Sequence, residues 1–180
     1  MKRLLALTAL TALALLPSAA ASARPAAEKP KKLDGNAVIG FRGVGPIELG
    51  MTIDQARKAA RRGIVAGQEV TKGCRHDKVL PRRFGLSTLR FKKKIRVLYV
   101  TRTAMPTAKG VRVNDTLNRL RSKYGSKLRE RGSDVSPETR IFELHGKGTR
   151  EIQFSVNAQD RIFQIATGLR PEVDFSEGCA

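Results

Sequence analysis

The stretch GPIELGMTIDQARKAA, residues 45–60, sets the prediction of the fold. Thr52 suits a helix N-cap, because its hydroxyl can accept a hydrogen bond from a backbone N–H that the first helical turn leaves without a partner. Gln55, three residues further on, completes a capping box. The stretch therefore predicts an amphipathic helix from Thr52 to about Arg62, with Gly63 as its left-handed stop.

Similar chemistry returns 64 residues later, in KGVRVNDTLNRLRSKYG, residues 109–125. In both stretches two extended apolar residues lead into glycine or asparagine, the residue types that most readily adopt a positive φ. A threonine cap and a helix follow, and the second helix has Gly125 as its stop. The chain is therefore predicted to contain one structural unit twice. The corresponding positions are Ile47 and Val111, Leu49 and Val113, Gly50 and Asn114, and Thr52 and Thr116.

Segments with strand character follow each predicted helix. Arg150 to Val156 alternates strictly between apolar and polar residues, as is typical of a strand that is buried on one face. Arg140 to His145 contains β-branched and aromatic residues, which favour strands. Short links of glycine, asparagine or lysine join the segments, which favours antiparallel meanders. The last segment is expected to point Phe163 and Ile165 inward. The segments are Leu86 to Phe91, Ile95 to Arg102, Arg140 to His145, Arg150 to Val156, and Arg161 to Thr167.

These patterns predict an α+β fold of two tandem units, each a capped helix packed on an antiparallel β-meander. The first unit is assigned to residues 36–106 and the second to residues 107–180. One face of each meander is expected to be covered by the helix, and the other to be open to solvent or to a partner. The sequence leaves open whether the two units share one sheet.

The N-terminal residues have the pattern of a secretory signal peptide. Two cations precede a thirteen-residue apolar run, Leu4 to Leu16, and Ala21-Ser22-Ala23 forms a small-residue cleavage site. The run is shorter than the roughly 20 residues that cross a bilayer, so cleavage near Ala23 is preferred to an uncleaved anchor. Residues 1–23 are assigned to the signal peptide and residues 24–35 to a flexible tether. The mature chain is expected to be secreted or held in the cell envelope.

The two cysteines, Cys74 and Cys179, are expected to form a disulfide, because an exported chain meets an oxidising compartment. The bond would close a loop of about 105 residues, and chain entropy alone would make it worth on the order of 4–5 kcal/mol. Cys74 lies near His76, and a Cys/His nucleophile or a metal site is the alternative. These residues and the distant His145 match no zinc spacing, so no catalytic, metal-binding or cofactor-binding residue is assigned.

The arrangement resembles the tandem-repeat fold of the secreted β-lactamase inhibitor protein and of the small outer-membrane assembly lipoproteins. The resemblance rests on Gly50-Met51-Thr52, the helix from Ile53 to Arg62, and residues 114–125. It implies a scaffold that binds other proteins. The chain departs from the lipoproteins in lacking a cysteine directly after the signal sequence. It departs from the inhibitor, whose binding face is rich in aromatic residues, in having no Trp and two Tyr.

Charge is distributed unevenly along the chain. Residues 57–131 carry 23 basic and four acidic residues, whereas residues 132–180 carry five basic and eight acidic residues. A field of this size attracts polyanions over long distances, although an ordinary solvated surface would explain the same charges. The preferred contact residues lie in a loop and at a hairpin tip, where side chains are free. They are Arg82, Arg83, Lys92, Lys93 and Lys94.

No sequence motif points to catalysis. The chain has no nucleophile elbow, zinc-protease helix, phosphate loop or dinucleotide fingerprint, and it has no recognisable nucleic-acid-binding module. Glu143, Glu151 and Asp160 can supply paired carboxylates, but strand alternation puts them on polar faces, where they are expected to be solvated.

The leading functional prediction is an exported, monomeric, non-catalytic interaction module. It would bind another protein through the sheet face from Arg140 to Thr167. The alternative is electrostatic binding to anionic cell-envelope polymers through the basic surface. No cofactor, no nucleic-acid partner and no transmembrane segment after cleavage are expected.

Overall fold

The computed structural model describes residues 32–132 and 136–174. These residues form an antiparallel sheet of three short strands, an antiparallel sheet of eight strands, and two α-helices. The small sheet and the first helix are β1 (Ile39–Gly40), β2 (Gly43–Val44), β3 (Ile47–Glu48) and α1 (Ile53–Ala60). The first half of the large sheet is β4 (Ile64–Thr71), β5 (Cys74–Val79), β6 (Leu86–Phe91) and β7 (Lys94–Val100). After α2 (Leu117–Tyr124) come β8 (Arg129–Gly132), β9 (Arg140–His145), β10 (Arg150–Val156) and β11 (Ile162–Leu169). The predicted signal peptide, most of the predicted tether and Cys179 lie outside the described residues.

The large sheet is continuous across both halves of the chain. Its strands lie in the order β4-β5-β6-β7-β11-β10-β9-β8. At its centre β7 and β11 pair antiparallel, with Val100 opposite Ile165 and Val97 opposite Gly168. The last strand of the first half is therefore hydrogen-bonded to the last strand of the second half.

The predicted α+β fold of two tandem helix-capped meanders is wrong. The fold is β-rich, because each helix has only eight residues and the strands of both halves join in one eight-stranded sheet. The segment around Cys74, where the sequence predicted no strand, forms β4 and β5 of that sheet. Periodicity along the sequence indicates strands, but it does not show which strands pair over long distances along the chain.

Both helices begin where the sequence predicted. The Gln55 N–H donates to Thr52 Oγ1 at 3.3 Å, and the Thr52 N–H donates to Gln55 Oε1 at 2.8 Å, so the capping box is present. In α2 the Arg119 N–H donates to Thr116 Oγ1 at 3.2 Å. The two threonine caps are confirmed.

The turns before the helices are bonded to the large sheet in the same way. Gly50 has a φ of 86°, and its N–H donates to the Ile95 carbonyl oxygen at 2.7 Å. Asn114 has a φ of 73°, and its N–H donates to the Ile162 carbonyl oxygen at 2.7 Å. Each turn therefore fixes its helix to one of the two central strands, β7 or β11.

The end of α1 differs from the prediction. Its left-handed C-cap is Arg61, with φ 51° and ψ 42°, and not Gly63. Gly63 instead packs closely against the Leu80 side chain. A Cβ at position 63 would lie 3.3 Å from Leu80 Cδ1. Gly125 is the C-cap of α2 with a φ of 53°, as predicted.

The two faces of the large sheet are covered unequally. The face that packs against the helices and the small sheet, here called the helix face, contains the main hydrophobic core. The opposite face, here called the far face, carries a smaller apolar cluster, and the C-terminal segment 170–174 packs on it. This cluster consists of Cys74, Leu89, Val97, Ala166 and Val173. No helix in residues 32–132 and 136–174 is long and apolar enough to span a membrane.

A β-bulge in β11 overturns the predicted orientation of Phe163. The register shifts so that Ile162, and not Phe163, lies opposite Val156. Phe163 is the additional residue of the bulge and is 42% exposed. Ile165 points inward as predicted and is fully buried.

Candidate anion-binding surface and a histidine–glutamate cluster

Four arginines surround an open groove at the end of β5. The groove has a volume of about 650 Å³ and is lined by Arg61, Arg62, Arg82 and Arg83 together with Gly63, Leu80 and Pro81. We call it the arginine groove. One pair of arginines follows α1, and the other pair begins the 3-10 turn Arg82–Phe84 that connects β5 to β6. Two distant parts of the chain therefore contribute equally to it.

Backbone and aromatic contacts position these arginines. The left-handed conformation of Arg61 turns the chain sharply after α1, and Arg62 Nε donates to the Leu33 carbonyl oxygen at 3.0 Å. The guanidinium carbons of Arg62 and Arg83 lie 5.7 and 5.6 Å from the centroid of the buried Phe84 ring. Both distances allow cation–π attraction. Phe84 therefore connects the two sides of the groove.

No carboxylate in the described part of the chain neutralises the arginine groove. Within the described residues, none of its four guanidinium groups forms an ion pair. Arg61, Arg82 and Arg83 are exposed. Because arginine stays protonated at any physiological pH, the groove presents four positive charges together.

A second basic site lies at the hairpin tip between β6 and β7. It consists of Lys92, Lys93 and Lys94, and we call it the lysine turn. Lys92 and Lys93 have φ values of 48° and 67°, although two-residue hairpin loops of this kind favour Asn-Gly because other residues resist a positive φ. The Lys92 N–H donates to the Gly73 carbonyl oxygen at 3.2 Å. This bond joins the lysine turn to the neighbouring hairpin tip between β4 and β5.

The groove between these two hairpin tips, with a volume of about 450 Å³, is partly neutralised. Arg75 pairs with Glu69 at 3.1 Å, and Arg90 pairs with the buried Asp77 at 2.6 Å. The Gly73 N–H, and after it Arg75, hold the pKa of Glu69 below its ordinary value. The lysine turn forms no ion pair within the described residues. The excess positive charge of this region therefore comes from the lysine turn.

The structure divides the five predicted contact residues between two sites. Arg82 and Arg83 join Arg61 and Arg62 in the arginine groove, whereas the lysine turn lies at the other end of β6. Since β6 has six residues, the two sites are roughly 20 Å apart. Arg61 and Arg62 were not predicted as contact residues, because the amphipathic pattern assigned them to the last turn of the helix. The pairing of β4 with β5 brings them beside the 3-10 turn.

A separate cluster of ionisable side chains lies on the far face of β9 and β10. Glu143 and His145 share this face of β9, and Glu151 lies opposite His145 in the antiparallel register. His145 Nε2 is 3.2 Å from Glu143 Oε2 and 3.4 Å from Glu151 Oε2. Glu151 is fully buried and Glu143 is 8% exposed. We call these three residues the histidine–glutamate cluster.

Other side chains bind the outer oxygen of each glutamate. Arg131 Nε donates to Glu143 Oε1 at 2.5 Å. Gln153 Nε2 donates to Glu151 Oε1 at 2.8 Å. The second oxygen of each carboxylate is thereby oriented toward His145.

The C-terminal segment 170–174 closes the cluster on the far face. Asp174 Oδ1 accepts a hydrogen bond from Gln153 Nε2 at 2.9 Å, and Arg170 Nε lies 3.7 Å from Glu151 Oε2. Burial raises the pKa values of Glu151 and Asp174 above their ordinary values. The segment therefore removes water from carboxylates that would otherwise be solvated.

This burial overturns the expectation that the strand carboxylates are solvated. Glu143 and Glu151 occupy the face that alternation predicted, but that face is covered. Asp160 is not part of the group, since it is exposed and pairs with Arg140. The far face from Arg140 to Thr167 is consequently less open than the sequence predicted.

Cys74 and His76 share the far face of β5. Cys74 is fully buried, and there is no free cysteine in the described part of the chain. Its predicted partner, Cys179, lies outside the described residues, so the disulfide stays a prediction. His76 stacks on Tyr99, and burial lowers its pKa below the ordinary value. The aromatic contact accounts for the position of this imidazole.

An apolar cleft of about 490 Å³ lies on the helix face of β9 and β10. Its apolar lining comes from the small sheet, α2 and the strands β9 and β10, and His145 borders it. The lining includes Phe41, Tyr124, Leu144 and Ile152, and the cations Lys109, Lys127 and Arg129. The cleft therefore lies on the helix face, whereas the histidine–glutamate cluster lies on the far face of the same two strands.

Comparison with known proteins assigns neither a family nor a function. No protein-family model matches the chain, and no curated protein matches it. Among solved structures, the crystal structure of the uncharacterized protein yfeY from Escherichia coli is similar, with a TM-score of 0.47 and 16% sequence identity. The match covers 78% of this chain and 100% of that chain. The resemblance to the inhibitor and lipoprotein fold stays a prediction.

Proposed function

We propose that the mature chain is an exported, non-catalytic protein that binds an anionic polymer of the cell envelope, with phosphate groups as the preferred ligands. The observation that carries the proposal is the arginine groove, in which four guanidinium groups share one open groove without a carboxylate partner among the described residues. Surface charges are usually interspersed with charges of opposite sign, because like charges repel one another. A polyanion relieves this repulsion when it binds.

The chemistry of arginine favours phosphate as the ligand. A guanidinium group presents a planar set of N–H donors that can bind two oxygens of one phosphate. Arg62 and Arg83 are also held beside Phe84. Side chains that are already restricted lose less conformational entropy on binding. The groove is therefore suited to several phosphates in succession.

The lysine turn extends the binding surface along the sheet. It lies roughly 20 Å from the arginine groove, so a polymer that reaches both sites gains affinity from the high effective concentration of its second segment. A short anion reaches one site alone. The proposal therefore predicts that affinity increases with polymer length.

Calorimetric titration of residues 24–180 with linear polyphosphate of two lengths tests this. The longer polymer is expected to bind more tightly. Its affinity should fall as salt rises, because bound phosphates release their counterions. An acidic polysaccharide without phosphate, titrated in parallel, distinguishes phosphate recognition from general attraction to negative charge. Equal affinity for both lengths at every salt concentration would contradict the two-site surface.

A pair of matched variants locates the site. Substituting Arg82→Gln and Arg83→Gln together is expected to reduce the slope of log affinity against log salt by about two, since each lost phosphate contact removes about one. The control, Lys147→Gln with Arg150→Gln, removes the same charge from exposed positions in the acidic half. An equal reduction of the salt slope in both variants would show an effect of net charge and exclude the arginine groove as the site.

A protein partner is the second candidate, and Phe163 favours it. Phe163 is 42% exposed and lies on the strand segment for which protein binding was predicted. Exposed aromatic residues are frequent anchors of protein interfaces. Cross-linking in an envelope extract at high salt, where polyanion binding is suppressed, should capture a partner with the parent chain and not with Phe163→Ser. Capture that is unaffected by Phe163→Ser would remove this candidate.

A further inference from the structure

The histidine–glutamate cluster is built from two short motifs on neighbouring strands. β9 contributes Glu143-Leu144-His145, and β10 contributes Glu151-Ile152-Gln153. The antiparallel register places Glu151 opposite His145 and Gln153 opposite Glu143. Because alternate residues of a strand share a face, the four polar side chains form a square on the far face. The two intervening apolar residues belong to the core on the helix face.

Three atoms of this square converge. One ligand atom from each of Glu143, His145 and Glu151 lies within 4.8 Å of the other two. The distances from His145 Nε2 to the two oxygens are 3.2 and 3.4 Å. Two ligand atoms on a tetrahedral Zn²⁺ ion are about 3.3 Å apart when each bond is about 2.0 Å long. The two distances from His145 Nε2 are therefore close to those of a metal-ligand set.

The side chains around the cluster are arranged like the outer shell of a metal site. Arg131 and Gln153 bind the outer oxygens of the two glutamates, and such contacts orient ligands and leave the inner oxygens for an ion. Glu151 Oε2 is buried and accepts no hydrogen bond within the described residues. Buried polar atoms normally have a partner, so this oxygen points to a missing ligand.

We propose that Glu143, His145 and Glu151 bind a divalent transition metal ion, with Zn²⁺ preferred. Imidazole nitrogen and carboxylate oxygen are both ligands that Zn²⁺ accepts in tetrahedral geometry. The His145 side chain is 31% exposed, so water has access to the fourth coordination position. The ion would add its positive charge to that of Arg131 beside two carboxylates that the fold buries.

The arginines near the cluster do not take the place of this ion. Arg131 binds the outer oxygen of Glu143. Arg170 Nε is 3.7 Å from Glu151 Oε2, beyond hydrogen-bond distance, and its side chain is 41% exposed. The competing cation is a protonated His145, which would pair with both carboxylates. A metal site binds added Zn²⁺, whereas a His145 ion pair does not.

Titration of the EDTA-treated mature chain, residues 24–180, with Zn²⁺ alone tests the proposal. Calorimetry is expected to show one ion per chain, and Zn²⁺ should raise the thermal unfolding temperature because it binds the folded state. His145→Gln and Glu151→Gln should each lower the affinity at least ~100-fold, and Gln153→Leu should lower it about 10-fold through loss of the outer contact. Co²⁺ in the same site should give the strong visible absorption of a tetrahedral ion.

The matched control is His76→Gln, which removes the other histidine of the chain from a different strand. It is expected to retain Zn²⁺ binding. The unfolding temperature and circular dichroism of each variant without metal establish that it is folded. Absence of Zn²⁺ binding by the parent chain would overturn the proposal in favour of a His145 ion pair. Binding that survives His145→Gln, or that is lost in His76→Gln, would overturn it as well.

Discussion

The rings of His76 and Tyr99 stack on the far face of the sheet, with centroids 5.7 Å apart and 26° between their planes. His76 lies on β5 and Tyr99 on β7, so the contact spans β6. Burial raises the pKa of Tyr99 to about 12 and lowers the pKa of His76 below its ordinary value. The same packing therefore favours the neutral form of both rings.

The ionisation of Tyr99 is expected to destabilise the fold at alkaline pH. Its pKa is about 12 in the folded chain and about 10 when unfolded, so the unfolded state loses its proton first. The free energy of unfolding should therefore fall as pH rises from about 10 to about 12. The chain has two Tyr and no Trp, so tyrosinate absorbance of Tyr124→Phe reports Tyr99 alone. Tyr99→Phe should remove this part of the alkaline loss. A midpoint near 10 while circular dichroism still shows a folded chain would contradict the prediction.

The local features of the fold were predictable because they depend on neighbouring residues. The capping box of Thr52 and Gln55 forms between residues three apart, and the threonine cap of α2 follows the same rule. The bounds of β9 and β10 agree with the predicted segments. β10 alternates in polarity, and β9 contains β-branched and aromatic residues. Interactions between residues that are close in the sequence are thus sufficient to predict these elements.

The strand order and the surroundings of the candidate sites were not predictable in this way. β4 carries exposed residues along most of its length, so it shows no alternation to identify it. Pairing of β7 with β11 and the bulge at Phe163 depend on contacts between distant residues. Tertiary packing also places Arg61 beside Arg82, and it covers Glu151 with the segment 170–174.

Removal of the two helix caps is expected to have unequal effects. Thr52→Ala should cost about 1–2 kcal/mol, because it breaks a capping box with two hydrogen bonds. Thr116→Ala should cost about 1 kcal/mol or less, because one hydrogen bond from Arg119 is lost. Urea unfolding measures both losses. Thr52→Ser and Thr116→Ser, which keep the hydroxyl, should stay close to the parent, and an equal cost for both alanine variants would contradict the role of Gln55.

Asp77 is expected to be the carboxylate whose removal is most costly in the first half of the sheet. It is 1% exposed and pairs with Arg90 at 2.6 Å. Asp77→Ala leaves the partly buried guanidinium without its partner and should lower the free energy of unfolding by about 3–5 kcal/mol. The control is Asp54→Ala, which breaks the exposed ion pair with Arg57 and should cost about 0.5 kcal/mol or less. Similar losses in the two variants would show that burial does not control the strength of these pairs.

The lysine turn is expected to lower the stability of the fold through its two positive φ values and to bind the polymer through its charges. Lys92→Asn with Lys93→Gly supplies the residues that a turn with two positive φ values favours, and it should raise the free energy of unfolding by about 1 kcal/mol. The same change removes two positive charges, so affinity for long polyphosphate should fall. Lys92→Gln with Lys93→Gln separates the two effects, because it removes the charges and leaves side chains at both left-handed positions. This control should lose the same affinity without the gain in stability. Full retention of polymer affinity in both variants would remove the lysine turn from the proposed binding surface and leave the arginine groove alone.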